Sequence, residues 1–255
     1  MLFDEIVYGP IHSRRLGVSL GVNLMPSDAK LCSFDCVYCE CGFNKPVSHP
    51  HLPTPQEFSE ALEQKLLELA EQQVVPDVIT FSGNGEPTMH PEFSRMVECC
   101  RVLRDRYCPT AKISVLSNST QLFRQDVRKA LMTVDNRILK LDSAIDRTMR
   151  LIDRPVNDKL TVKDITDNLK LFNGDFILQT CFLKGWYNEE AIDNTSEEEL
   201  AAWYRVVEEL RPQKVMIYVI DRKTPVETLE KISAEKMNEI AEKLRVKGVD
   251  VVVSC

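Results

Sequence analysis

Residues 32 to 39 read Cys-Ser-Phe-Asp-Cys-Val-Tyr-Cys, which places Cys32, Cys36 and Cys39 in a C-x3-C-x2-C spacing. Thiolates this close in sequence can converge on one inorganic centre only where the chain forms a loop wrapped around it. A structural zinc site takes four closed ligands, and common iron–sulfur clusters also take four cysteines. Three cysteines on a four-iron cluster leave one iron open, so the stretch indicates a metal centre that can bind an exogenous molecule.

This triplet, with the aromatic Tyr38 just before its last cysteine, resembles the signature of the radical S-adenosylmethionine (SAM) enzymes. The resemblance implies that Cys32, Cys36 and Cys39 hold three irons of a [4Fe-4S] cluster and that SAM chelates the fourth. It further implies that one electron from the cluster cleaves SAM to methionine and a 5′-deoxyadenosyl radical, which abstracts hydrogen from a substrate. The cofactors carry that chemistry and the protein positions them. Tyr38 would then pack against the adenosyl group.

Cys41 leaves a second interpretation of the cysteine stretch open, because it follows the triplet by two residues. A four-thiolate zinc or ferredoxin-like site could use Cys41 together with Cys32, Cys36 and Cys39. The C-x-C step from Cys39 to Cys41 is unusual for either kind of site.

The composition is that of a globular protein with a sizeable core. The chain has 255 residues, of which 44% are hydrophobic and 28% are charged, values compatible with one domain. We predict a single radical SAM domain over residues 1–255. It divides into an N-terminal segment with the first strand (1–25), a cluster loop (26–53) and the remaining β/α units (54–255).

The cellular setting is also predicted from composition. No apolar run approaches the roughly 20 residues of a membrane span, and no signal peptide is visible at the N-terminus. Nine cysteines favour reduced thiols and metal ligation over a disulfide framework. These features predict a cytoplasmic protein with no membrane partner, and an exposed low-potential cluster suggests an anaerobic setting.

Charge counts against a dedicated nucleic-acid binder, because the net charge is −7 and such proteins are usually basic. A local patch could still bind RNA. Two groups of arginines are candidates for it, and the second also fits a solvated helix face: Arg14 and Arg15, then Arg95, Arg101, Arg104 and Arg106.

The rest of the chain alternates predicted strands and helices, which favours a parallel sheet or barrel. Seven apolar runs predict strands at 16–24, 77–82, 112–116, 137–141, 176–182, 214–220 and 249–253. Six helices are predicted between them: one that begins at Thr54 and places Phe58, Leu62, Leu66 and Leu69 on one face, and five at 91–106, 121–132, 161–172, 196–210 and 233–246. Capping boxes at Thr54 and Ser196 mark two helix starts. Together with the resemblance, this alternation predicts the α/β fold of the radical SAM family, a partial (β/α)6 TIM-type barrel.

Barrel enzymes place their sites at the C-terminal strand ends, so the residues there are candidate ligands. After the second strand comes Gly83-Asn84-Gly85-Glu86-Pro87, which resembles the family's Gly-Gly-Glu-Pro motif with Asn84 inserted. The resemblance implies that this edge receives the SAM ammonium group, with Glu86 as a carboxylate. An ordinary glycine turn before a helix is the alternative.

Polar residues follow the next strands as well. By family resemblance, Asn118 and Ser143 are predicted SAM contacts, and helix N-capping is their alternative role. Arg154 could pair with a SAM or substrate carboxylate or be a surface arginine. Later strand ends add Lys184, Tyr218, Asp221 and Arg222 as candidates for SAM or substrate contacts.

The remaining cysteines are expected to be structural. Core packing is expected for Cys181. Core packing is also expected for Cys99, Cys100 and Cys108, and ligation of a second cluster is their alternative role. Cys255 could reach the mouth of the cavity.

A closer resemblance lies in residues 8–23 and 79–88. These stretches resemble a radical SAM subgroup related to the wyosine-base synthases, which modify tRNA. Three hypotheses follow: an enzyme acting on an RNA base or a small metabolite, an activase that makes a glycyl radical on a partner protein, and a non-catalytic zinc or iron–sulfur module. The family implies an electron donor such as flavodoxin or ferredoxin.

Overall fold

The computed structural model describes residues 2–13 and 17–255. Its residues fall into two compact units. The N-terminal unit contains the described residues up to Cys32, with 44–117 and 121–137. The C-terminal unit contains 33–43, 118–120 and 138–255. Arg14, Arg15 and Leu16 lie outside the described residues, and with them one predicted basic patch and the start of the predicted first strand. The single domain over 1–255 stays a prediction.

The N-terminal unit is built on four strands in the order β1 (Val7–Ser13), β2 (Gly17–Val22), β3 (Val78–Phe81) and β4 (Lys112–Ser117). β1 is antiparallel to β2, whereas β2, β3 and β4 run parallel. β2, β3 and β4 lie where apolar runs predicted strands. β1 was not predicted.

Three helices accompany these strands: α1 (Pro55–Glu71), α2 (Phe93–Tyr107) and α3 (Gln125–Leu131). α1 begins with the predicted capping box, in which Thr54 and Glu57 bind each other's backbone N–H groups. It buries one face, which carries Phe58, Leu62, Leu66 and Leu69. Burying side chains of this size stabilises a fold by about 2 kcal/mol each, so this face rather than helix propensity holds α1.

Two helix starts in this unit differ from prediction. α2 begins at Phe93 instead of Pro91, because a 3-10 turn over Pro87–Met89 precedes it. α3 begins at Gln125 instead of Gln121. Both errors place a helix start too early, within the turns that follow β3 and β4.

The arginines of α2 and its end form ion pairs along the helix surface. Each lies within 3.4 Å of a carboxylate: Arg95 of Glu92, Arg101 of Glu98, Arg104 of Asp105 and Asp135, and Arg106 of Glu63. These arginines therefore fit the solvated helix face that was the alternative to an RNA-binding patch, and their positive charges are paired.

The C-terminal unit contains parallel strands in the order β5 (Asn136–Lys140, of which 138–140 belong to this unit), β6 (Ile177–Tyr187), β8 (Lys214–Val219) and β10 (Val251–Ser254). Two short strands, β7 (Glu190–Asp193) and β9 (Leu229–Lys231), pair antiparallel with the end of β6. The helices are α4 (Asp146–Ile152), α5 (Val162–Lys170), α6 (Glu197–Leu210) and α7 (Ala234–Arg245).

The end of β6 was predicted incorrectly. The strand continues to Tyr187 rather than stopping at Phe182, and it turns back into β7 through Asn188 and Glu189, both at positive φ. Two such residues form the kind of hairpin turn that matches strand twist. The short elements β7, β9 and α4 were also missed.

The capping box predicted at Ser196 is half formed in the described structure. Ser196 accepts from the Glu199 backbone N–H as expected. The Glu199 side chain, however, accepts a hydrogen bond from Ser143 Oγ at 2.7 Å. The fourth residue of the motif is therefore used for a long-range contact.

The buried cysteines pack in the core as expected, because Cys100, Cys108 and Cys181 are buried. Burial also raises the pKa of the Cys100 thiol far above its usual value. Burial raises the pKa of the Cys108 thiol as well, so the thiols of Cys100 and Cys108 stay protonated and inert. Cys99 is partly buried and Cys255 is exposed. Within the described residues, no helix is both long and apolar enough to cross a membrane.

His90 is a buried histidine whose two ring nitrogens are both used. Nε2 lies 3.0 Å from the Pro53 carbonyl, and Nδ1 accepts from the Glu92 backbone N–H at 3.1 Å. Only the neutral tautomer with its proton on Nε2 satisfies both partners. Burial lowers the pKa of His90, although the Pro53 carbonyl and Glu92 oppose that effect.

We therefore expect acid to destabilise the fold through His90. A lowered pKa means that its contribution is complete above the unfolded value of about 6.5 and is lost as pH falls through the folded value. Urea unfolding of the wild type and His90→Gln at pH 7.5, 6.5 and 5.5 measures this. The variant should lose less stability than the wild type over that interval. Equal losses in both proteins would contradict the assignment.

Candidate cofactor site

In the N-terminal unit, the loop after β3 holds the residue before Cys32. The Leu31 N–H donates to the Asn84 carbonyl at 2.9 Å, and the Glu86 N–H donates to the Leu31 carbonyl at 3.2 Å. The two segments thus pair like short parallel strands, with Leu31 opposite Gly85. The glycine motif therefore fixes the backbone at the start of the cysteine loop.

Gly85 is required at its position by a close backbone approach. Its φ is 148°, and a Cβ added there would lie 1.8 Å from the Leu31 carbonyl oxygen. No side chain fits this space unless the Leu31 backbone moves. The second glycine of the motif therefore sets how close the loop after β3 comes to the cysteine segment.

Asn84, the residue inserted in the family motif, is completely buried and uses its side chain inside the fold. Its Nδ2 donates to the Phe3 and Pro26 carbonyls, both at 2.7 Å, and its Oδ1 accepts from the Phe3 N–H at 2.8 Å. The side chain thus joins three segments of the N-terminal unit. Its predicted role as a SAM contact stays a prediction.

Glu86 is also buried, at 2% exposure. Its Oε1 accepts from the Thr88 N–H at 3.1 Å and from the Thr88 hydroxyl. The carboxylate thereby caps the 3-10 turn that follows it. The motif thus places one buried carboxylate at the end of β3, where the family resemblance predicts the SAM ammonium group.

In the C-terminal unit, the segment 33–43 is a turn-rich loop tied to the end of α4. The Asp35 N–H donates to the Asp153 carbonyl and the Val37 N–H to the Ile152 carbonyl, both at 2.9 Å. Within the loop, the Cys39 N–H donates to the Cys36 carbonyl at 3.1 Å. The segment is therefore a loop held by backbone hydrogen bonds, and it carries Cys36, Cys39 and Cys41.

Asn118 supports the same loop from the end of β4. Its Nδ2 donates to Ser33 Oγ at 2.9 Å, and its Oδ1 accepts from the Thr120 N–H at 3.1 Å. Ser33 and Thr120 also share a hydrogen bond of 2.5 Å. Asn118 thus binds the residue that follows Cys32, and its role as a SAM contact stays a prediction.

A buried ionic cluster lies beside Cys36. The ammonium of Lys140 contacts Asp153 Oδ1 at 2.5 Å and Asp142 Oδ2 at 3.1 Å, and it donates to Cys36 Sγ at 3.1 Å. The Tyr38 hydroxyl donates to Asp142. We call Lys140, Asp142 and Asp153 the lysine triad; it links Cys36 and Tyr38, two residues of the cysteine signature.

The charges of the lysine triad shift the pKa values of its members. Burial acts to lower the pKa of Lys140, but the charges of Asp142 and Asp153 outweigh it, and the net shift is upward. Burial raises the pKa of Asp153, and the Lys140 charge opposes part of that rise. Burial, with repulsion from Asp142, also raises the pKa of Tyr38. Lys140 is therefore an ammonium and Tyr38 a neutral donor at physiological pH.

Arg154 lies against the cysteine loop rather than in open solvent. Its guanidinium is 3.4 Å from Asp35 Oδ2 and stacks over the rings of Phe43 and Tyr187, at 4.6 and 5.0 Å. Its backbone has a φ of 47°. The Arg154 side chain is 31% exposed, so it is a partly exposed arginine that contacts the loop, and binding of a SAM or substrate carboxylate by Arg154 stays a prediction.

Ser143 is held by residues of its own unit. Its hydroxyl donates to Glu199 Oε2 at 2.7 Å and accepts from the Ile145 N–H at 2.9 Å. The second bond closes a turn before α4, whose N-cap residue is Ile145 and which has no side-chain cap, so Ser143 does not N-cap this helix. Burial raises the pKa of the Glu199 carboxyl. Contact between Ser143 and SAM stays a prediction.

The donor set fits an iron–sulfur cluster. Cys32, Cys36, Cys39 and Cys41 are all partly exposed, and thiolates are the ligands that iron–sulfur clusters take. Among the described residues, no three His, Cys, Asp or Glu side chains converge as they would around one metal ion. In a [4Fe-4S] cluster each thiolate binds a different iron.

Lys140 and Asp153 were missed by the sequence reasoning. A signal for Lys140 was present, because it interrupts the apolar run Ile138-Leu139-Lys140-Leu141. A lysine in a buried strand requires a paired charge. No comparable signal marked Asp153, which follows α4, a helix that was not predicted.

Comparison with known sequences gave several relatives named UPF0026 proteins, while no family model matches the chain. A UPF0026 protein from Synechocystis is 30% identical over 229 residues, which are 87% of this chain and 77% of that protein. The UPF0026 protein MJ1312 from Methanocaldococcus jannaschii is 34% identical over 216 residues, 82% of this chain. The chain spans only 61% of MJ1312 and 57% of a UPF0026 protein from Helicobacter pylori.

Solved structures with a similar fold are radical SAM enzymes. A radical SAM methyltransferase from Sphaerobacter thermophilus matches with a TM-score of 0.67 and 17% identity, over 92% of this chain and 65% of that one. SuiB from Streptococcus suis, bound to SAM, matches at 0.62 and 13%, over 88% and 48%. TYW1 with a lysine-pyruvate adduct matches at 0.61 and 13%, over 89% and 73%.

These structural similarities confirm the predicted fold class. The chain has the partial (β/α)6 TIM-type barrel fold of the radical SAM enzymes. Within that class, the chain belongs to the UPF0026 family. The resemblance of residues 8–23 and 79–88 to the wyosine-related subgroup stays a prediction.

Proposed function

We propose that this protein is a radical SAM enzyme in which Cys32, Cys36 and Cys39 hold a [4Fe-4S] cluster and SAM binds at its open iron. The observation that carries the proposal is the cysteine signature on a wrapped loop, whose Cys36 thiol accepts from an ammonium at 3.1 Å. The fold shared with the SAM-bound neighbour supports it. When bound, these cofactors supply a 5′-deoxyadenosyl radical that abstracts hydrogen from the substrate.

The surrounding residues position SAM in this proposal. Gly83, Asn84, Gly85 and Glu86 form the edge for the SAM ammonium group, and Tyr38 packs against the adenosyl group. Asn118 and Ser143 bind polar groups of SAM, and Arg154 pairs with a SAM or substrate carboxylate. Gly83 to Glu86 follow β3, Asn118 follows β4 and Ser143 follows β5, which supports these roles because barrel enzymes use residues at C-terminal strand ends.

The substrate class follows from the subgroup. Resemblance to the wyosine-base synthases in residues 79–88, and the TYW1 neighbour, favour an RNA base or a small metabolite as the source of the hydrogen. Flavodoxin or ferredoxin in the cytoplasm would supply the electron. Transfer of deuterium from candidate substrates into 5′-deoxyadenosine tests the substrate.

Two cysteine substitutions test the cluster assignment. The wild type, Cys36→Ala and Cys41→Ala are reconstituted anaerobically with iron and sulfide, and their metal content and reduced EPR spectra are measured. We expect about four irons per chain in the wild type. Cys41→Ala should keep this iron content, and Cys36→Ala should lose it. Equal loss in both variants would indicate a four-thiolate site. A wild type that holds one zinc and no iron would contradict the proposal.

A further inference from the structure

The lysine triad is a buried ionic group in contact with a cysteine of the signature. The exposed fractions of its side chains are 10% for Lys140, 0% for Asp142 and 2% for Asp153. Charges removed from water in this way are costly unless they are paired and hydrogen-bonded. One ammonium with two carboxylates is therefore an arrangement that core packing alone does not explain.

The Lys140 ammonium has three close partners. Two are Asp153 Oδ1 and Asp142 Oδ2, at 2.5 and 3.1 Å, and the third is Cys36 Sγ at 3.1 Å. The rings of Phe34 and Tyr38 each lie 5.0 Å from the ammonium. The carboxylates and rings hold the ammonium in place, so its contact with sulfur is preorganised.

From this geometry we propose that Lys140 tunes the reduction potential of the cluster through the Cys36 sulfur. The inference rests on the proposed function. Reduction adds one negative charge to the cluster and its thiolates. A hydrogen bond and a positive charge at one sulfur stabilise that added charge, and such bonds are among the factors that set cluster potentials.

Asp153 acts in the opposite direction. Its Oδ1 lies 3.6 Å from Cys36 Sγ, so its negative charge disfavours electron density on that sulfur while it holds Lys140. The potential thus reflects a balance of two charges near one ligand. Lys140 and Asp153 are positioning residues that act through the cysteine.

The balance predicts opposite shifts for two variants. Lys140→Gln removes the positive charge and should lower the potential, whereas Asp153→Asn removes a negative charge and should raise it. EPR-monitored titration of the reconstituted proteins with dithionite measures both. We expect each variant to change the equilibrium constant for one-electron reduction by tenfold or more, which corresponds to about 59 mV.

The outcomes separate this inference from the proposed function. A wild type without a cluster would overturn both. If the wild type holds a cluster but the variants show unchanged potentials, or shifts of the same sign, only the role of Lys140 is overturned. Structural damage alone would give no reason for the two variants to shift the potential in opposite directions. If Lys140→Gln does not retain a cluster, the sign of the Asp153→Asn shift decides.

Discussion

Replacing Gly85 by alanine should destabilise the N-terminal unit and release metal from the cysteine loop. The new Cβ would lie 1.8 Å from the Leu31 carbonyl oxygen, at a backbone φ of 148°. Strain of this kind costs about 1–3 kcal/mol, and the collision adds to it. We expect a loss of about 3 kcal/mol or more in the free energy of unfolding, with a lower iron content after reconstitution.

Gly248 provides the matched control for the substitution at Gly85. It also has a positive φ, of 83°, but a Cβ there would meet nothing within 4 Å. Gly248→Ala should therefore show the conformational cost alone, about 1 kcal/mol, with full iron binding. Urea unfolding and iron analysis of both variants provide the measurement. Equal stability of the two would show that Gly85 is not needed for a close approach.

Asn84→Ala should be the second strongly destabilising change. The substitution removes three hydrogen bonds of 2.7–2.8 Å, which join Asn84 to the Phe3 N–H and to the Phe3 and Pro26 carbonyls. The Phe3 carbonyl keeps only the longer contact from Asn23 Nδ2, at 3.5 Å. Each buried group left unsatisfied costs about 1–3 kcal/mol. We expect a total loss of about 3–5 kcal/mol.

Asn168 is a suitable control for Asn84. Its Nδ2 makes one exposed hydrogen bond, to the Asp164 carbonyl in the same helix. Because alanine also favours the helix, Asn168→Ala should change stability by no more than about 0.5 kcal/mol. Chemical unfolding at pH 7.5 compares the two. A loss below 1 kcal/mol for Asn84→Ala would contradict the structural role given to its side chain.

Local sequence signals predicted the scaffold well where they were complete. Thr54 and Glu57 formed the expected capping box, and the apolar runs of β3 and β8 became strands. The signal failed where the chain uses short elements. The β7 hairpin turns through Asn188 and Glu189, a pair without the glycine that usually marks such a turn.

The environment of the site was less predictable than its residues. The signature cysteines and the glycine motif were visible in the sequence, since their spacing carries the chemistry. Lys140 meets Cys36 across 104 positions, and Ser143 meets Glu199 across 56. Such pairings arise from strand order and packing, which a local motif does not encode. Glu199 illustrates the point, because its capping motif was recognised while its long-range partner was not.

Formation of 5′-deoxyadenosine tests the central claim most directly. Reconstituted protein is incubated anaerobically with SAM and dithionite, and the products are quantified beside Cys36→Ala. We predict 5′-deoxyadenosine and methionine in equal amounts from the wild type, with Cys41→Ala active and Cys36→Ala at the level of the protein-free control. A wild type that holds a [4Fe-4S] cluster yet forms no more 5′-deoxyadenosine than Cys36→Ala would contradict the assignment as a radical SAM enzyme.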